Sequence, residues 1–145
     1  MSMTQREKRI AWLLIGMLVA YCPYFARVLR NVGQSQFAGE ALESLIAAVV
    51  AIIIFESLSH ITAPPAGVQP EPKDERDILI ESKAYRNGYF AYGTGAFLVI
   101  SLVIVASLAR ILLTPFLVVN LVLLCMVLAE VVNFGTQLLY YRKGF

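Results

Sequence analysis

Long runs of uncharged, mostly apolar residues constrain this chain more than any other feature. Seventeen uncharged residues separate Arg9 from Arg27, and 23 separate Arg86 from Arg110. Crossing the ~30 Å hydrocarbon layer takes about 20 apolar residues as a helix. In lipid only helices and closed barrels satisfy their own backbone groups. At 145 residues the chain has room for one compact bundle and no separate soluble domain. Composition agrees: 59% of residues are hydrophobic and 15% charged, against about 45–50% and about 25% in soluble domains. The expected fold is an all-α membrane protein with four transmembrane helices, over about 10–29, 40–61, 88–113 and 115–141.

The first segment places Trp12 at one interface and Tyr21 and Tyr24 near the other, as aromatic belts do, and Tyr140 and Tyr141 form a closing belt on the fourth. Pro23 is positioned to kink its outer end. Arg6, Lys8 and Arg9 ahead of an apolar run resemble the start of a signal peptide. Tyr21 is too large for a cleavage site before Cys22, however, so an uncleaved helix is expected. Residues 62–73 hold four prolines and a glycine and read as an extended linker between two helical hairpins. Thr114-Pro115 reads as a helix start, with threonine capping and proline at the first helical position. Both hairpins begin with a charged lead and return through a glutamate-bearing helix, but identity between them is slight and coincidence is the stronger reading. Cys22 and Cys125 lie inside apolar blocks, which suits small apolar packing rather than disulfides or zinc.

The stretch KDERDILIESKAYRNGYF, residues 73–90, leads into the third segment. At helical spacing it carries an acidic stripe of Asp74, Asp77 and Glu81 and, roughly opposite, a basic stripe of Arg76, Lys83 and Arg86. Asp74 can cap the helix, with Asp77 three positions on. An amphipathic extension over about 74–87 is expected on the third transmembrane helix. Ala84, Gly88, Ala91 and Gly95 recur at i, i+4, i+7 and i+11, a stripe that lets two backbones approach in lipid. Because the acidic stripe lies on nearly the same side, Asp77 and Glu81 are expected to meet a base. Arg142 and Lys143, or Arg6, Lys8 and Arg9, could supply it; the alternative is that these charges form a solvated face at the membrane surface.

The wording D-E-R-D, an apolar pair, then K-A-Y-R-x-G-Y before a transmembrane helix resembles a family of small bacterial and archaeal four-helix membrane proteins to which no activity is assigned. Asp74, Glu75, Arg76, Asp77, Lys83, Ala84, Tyr85 and Arg86 carry the likeness. Some members are thought to be encoded beside small helix-turn-helix regulators, so the resemblance implies a regulatory protein partner.

Basic residues set the expected orientation. With both termini cytoplasmic, nine bases lie inside and three, Arg27, Arg30 and Arg110, outside. The expected location is a prokaryotic cytoplasmic (inner) membrane, spanned several times, with the 74–87 stretch inside. The net charge of +2 is too small to argue for direct nucleic-acid binding.

Ionisable residues inside a membrane are functional hypotheses by default. Only twelve uncharged residues separate Glu43 from Glu56, which is ~18 Å of helix, so Glu56 is expected at the margin of the apolar layer with His60 one turn on. Glu130 lies ~22 Å into the fourth helix, towards its cytoplasmic side, with Asn133 and Gln137 on the same stripe. Glu56, His60, Glu130 and Asn133 thus form an expected intramembrane polar set near the inner leaflet. They could lock the bundle, form a permeation or proton site, or hold a metal, although one histidine and no nearby cysteine make a poor metal site.

No nucleophile beside a histidine, no phosphate loop and no zinc-protease motif is present in the sequence. Gly93-Thr-Gly95 reads as helix packing. The expectation is a non-enzymatic membrane interaction protein without cofactors. Asp74, Glu75, Arg76, Asp77, Glu81, Lys83 and Arg86 would contact a cytoplasmic partner protein or a second copy in a homodimer or small homo-oligomer. The alternative is a small oligomeric transporter or channel using Glu56 and Glu130.

Overall fold

A computed structural model describes residues 4–31, 42–47, 49–51, 53, 54, 57, 74–111 and 113–143. Three of its helices are long and apolar enough to cross a membrane: α1 (Gln5–Arg30), α2 (Glu75–Leu108) and α3 (Pro115–Lys143). Helical residues also occur between 42 and 57. The remainder of the expected second segment, and the 62–73 linker, lie outside the described residues.

The helix starts follow from short-range chemistry. Thr4 opens α1: its hydroxyl accepts from the Glu7 amide at 3.2 Å, and its own amide donates to Glu7 Oε2 at 2.6 Å. This reciprocal box satisfies two donors that a helix start leaves orphaned. Asp74 and Asp77 form the same kind of box at the start of α2. Thr114 caps α3, accepting from the Leu117 amide at 3.3 Å, with Pro115 first in the helix. α1 continues through Pro23.

The expected extension and third span form one unbroken helix of 34 residues. It stops at Leu108, five positions before the sequence-based boundary. Arg110 takes φ 57° there. The Arg110 amide then donates to the Ser107 carbonyl at 3.1 Å and the Ile111 amide to the Ala106 carbonyl at 2.8 Å. That pattern is a Schellman ending, which normally uses glycine at the left-handed position.

α3 packs against both α2 and α1 and runs antiparallel to them. The small-residue stripe makes the α2–α3 seam. Ala84 and Gly88 are buried on it. A Cβ on Gly88 would stand 3.0 Å from the Ala129 carbonyl oxygen, and one on Gly95 would stand 2.8 Å from Cys125 Sγ. Gly93 is different from the expectation: nothing lies within 4 Å of its would-be Cβ, so it faces away from the seam. Cys125 packs at Gly95, whereas Cys22 is exposed on α1. Large apolar side chains such as Leu29, Phe97, Leu98 and Leu108 point outward. Small side chains inside and large ones outside is the arrangement expected when the surroundings are themselves apolar.

Candidate functional site

Two polar clasps tie the helices. At the end where α1 and α2 begin and α3 finishes, Asp77 Oδ2 pairs with the Arg6 guanidinium, and Asp77 Oδ1 accepts from the Tyr141 hydroxyl at 3.0 Å. One carboxylate therefore joins three helices. Its ring-bearing partner was expected in an interfacial belt with Tyr140. Both tyrosines are instead partly buried, and Lys83 Nζ lies 6.0 Å from the Tyr140 ring centre.

At the opposite end the Tyr24 hydroxyl donates to Asn120 Oδ1, and Asn120 Nδ2 donates to the Phe116 carbonyl at 2.8 Å. Tyr24 is 3% exposed and Asn120 5%. Tyr24 was expected in the aromatic belt. It turns inward because a buried asparagine needs a partner that lipid cannot supply. Val28, Phe25, Tyr21, Leu45, Phe116 and Leu123 surround this pair. At 1.5 Å per residue, the clasps lie ~27 Å apart along α1 and ~32 Å apart along α3.

Between the clasps an open groove follows the α2–α3 seam. Its first part is lined by Ile78, Glu81, Ser82, Tyr85, Asn133 and Gln137. Its continuation reaches Tyr89, Tyr92, Met126 and Glu130, and shares Tyr85 and Asn133 with the first. Gln137 Nε2 donates to Asn133 Oδ1 at 3.1 Å, and Asn133 Nδ2 donates to Glu130 Oε2 at 3.2 Å. Each amide in this ladder directs a donor towards the carboxylate. Glu130 itself is exposed. It stands ~16 Å along α3 from Tyr141 and ~15 Å from Asn120, in a run from Pro115 to Tyr141 that holds no other charge.

The expected contact residues separate. Asp74, Glu75, Arg76 and Arg86 are exposed, Asp77 belongs to the clasp, and Glu81 borders the groove. Lys83 leaves the exposed basic stripe for Tyr140. Glu56 and His60 lie outside the described residues. Among the described residues no three of His, Cys, Asp and Glu gather as a metal site would require.

Sequence reasoning missed the Tyr24–Asn120 pair. The available signal was that both are polar residues lying close to the same end of antiparallel segments. Comparison with family models, curated proteins and solved structures finds no match.

Proposed function

We propose that this is a non-enzymatic, multi-pass protein of a prokaryotic cytoplasmic membrane, with four spans and both termini cytoplasmic, that acts by association. The first turns of α2 bind a second copy of the chain. The carrying observation is the face those turns leave open. Ile78, Leu79 and Tyr85 are each more than half exposed, among the exposed charges of Asp74, Glu75, Arg76 and Arg86. Apolar side chains clustered with both signs of charge, on a section that projects from the bilayer, suit an interface between copies. One chain's acids then meet the other's bases. The resemblance noted in the sequence makes a cytoplasmic regulatory protein the other class of partner.

Native mass spectrometry of the detergent-purified protein tests this. A dimer is expected. It should be lost in the double reversal Arg76→Glu/Arg86→Glu and recovered when that chain is mixed with Asp74→Lys/Glu75→Lys. A monomeric wild-type chain would remove self-association and leave the partner protein.

Glu130 supports a second reading, a small oligomeric transporter or channel. An exposed carboxylate midway along an apolar section is costly unless it meets a polar or charged group. Flux into reconstituted vesicles that disappears in Glu130→Gln, with assembly intact, would favour it.

A further inference from the structure

We infer that the α2–α3 groove is a binding site for a hydrophobic organic cation, held by the Glu130 carboxylate between the rings of Tyr85, Tyr89 and Tyr92. The inference rests on the membrane placement proposed above. It needs neither self-association nor transport.

Charge comes first. Among the described residues that line it, the groove has two carboxylates, Glu81 towards the clasp and Glu130 further in, and no lysine, arginine or histidine. Among the described residues Glu130 forms one hydrogen bond, from Asn133, and no ion pair. An ionised carboxylate can accept about four hydrogen bonds, so most of its capacity faces the groove. In an α3 run that carries no other charge from Pro115 to Tyr141, such a group calls for a positive partner, because an unpaired charge beside apolar surroundings is unfavourable.

The walls then select the kind of cation. Tyr85, Tyr89 and Tyr92 lie ~12, ~18 and ~22 Å along α2 from Asp77, bracketing the ~16 Å level of Glu130. Tyr85 and Tyr89 are 70% and 67% exposed and Tyr92 38%, so ring surface is available to a ligand. Aromatic faces attract cations, most effectively large ones that shed water easily. Met126 adds a flexible, polarisable contact. A small metal ion is a poor match, because calcium takes six to eight oxygens and the described residues offer one carboxylate and one side-chain amide at this level. A lipid ammonium headgroup is also mismatched, since it brings a phosphate with it and none of the described residues lining the groove is a lysine or arginine. A neutral lipid chain would cover the rings but leave the carboxylate unpaired.

The route in is continuous. Glu81 and Ser82 border the groove near the clasp, and Tyr85 and Asn133 belong to both of its parts.

Equilibrium binding of tetraphenylphosphonium to the full-length protein in dodecyl maltoside tests the site. Tetraphenylborate, of the same shape and opposite charge, is the control. Saturable binding of the phosphonium without binding of the borate is expected. Glu130→Gln should weaken it about tenfold or more and Tyr89→Leu about threefold to tenfold, while Glu130→Asp retains part of the affinity. Helical circular dichroism and native mass on the same samples report folding and copy number, so a binding failure is read separately from a failure of self-association. Detergent-dependent extraction from membranes checks placement by itself. Absence of saturable phosphonium binding to the wild-type protein, equal binding of the borate, or full affinity in a folded Glu130→Gln protein would each overturn the assignment.

Discussion

Tyr141 donates its hydroxyl to the same Asp77 carboxylate that Arg6 holds by charge, so a residue near the start of α2 joins the start of α1 to the finish of α3. Asp77 also accepts from the Asp74 amide at 3.1 Å and thereby starts its own helix. Nucleating α2 and docking it are done by one side chain.

Asp77→Asn should lower stability by about 1–2 kcal/mol, the range for hydrogen bonds to a charged group after allowing for solvent screening. The allowance is needed because the Arg6 side chain is 30% exposed. Tyr141→Phe should lose about 0.5–1.5 kcal/mol, and Glu75→Gln almost nothing. Thermal unfolding in detergent reads all three. Equal effects of Asp77→Asn and Glu75→Gln would show that the clasp does not hold the bundle.

Gly88 and Gly93 are five residues apart on α2 and should respond oppositely. Gly88→Val forces side-chain atoms against the Ala129 carbonyl and Asn133, for which about 1–3 kcal/mol of destabilisation is expected. Gly93→Ala enters open space and should be neutral or stabilise by up to about 1 kcal/mol through helix propensity. Cysteine crosslinking across the α2–α3 seam would report whether the first change also separates the helices.

Tyr24→Phe leaves Asn120 Oδ1 without its donor, and about 0.5–2 kcal/mol should be lost. Adding Asn120→Leu removes the orphaned group as well. The double variant should therefore be more stable than Tyr24→Phe alone. A double-mutant cycle with no coupling would mean that the two side chains do not depend on each other.

Arg110 holds a left-handed conformation that suits glycine. Arg110→Gly should raise stability by about 1 kcal/mol, while Arg110→Ala, which keeps the Cβ, should not. Melting temperatures of the two variants provide the comparison.

Much of this architecture can be read along single helices. The uncharged runs locate three long apolar helices, Asp74 and Thr114 locate two helix starts, and the spacing from Ala84 to Gly95 identifies the face of α2 that meets α3. What the sequence does not carry is rotation and depth of one helix against another. Asp77 had five possible bases, and only the placement of α1 selects Arg6. Tyr24 and Tyr141 look like interfacial residues until Asn120 and Asp77 are seen beside them. Lys83 shares helical spacing with Arg76 and Arg86, yet its long stem reaches Tyr140. The ending at Arg110 has no sequence signal, since its glycine is absent. Glu130 was visible as a charge in an apolar run, whereas its rings come from α2 and could be assigned only with α3 alongside.

The spacing of the two clasps has a mechanical consequence. A one-turn slip of α3 would break Asp77–Tyr141 and Tyr24–Asn120 together, so the helices cannot adapt to bilayer thickness by sliding singly. A bilayer thinner than their apolar runs must tilt the three described helices as one body, because neither clasp lets one of them shift alone. The register of the three helices is thus a property of the bundle, and any mismatch with its surroundings is answered by tilt.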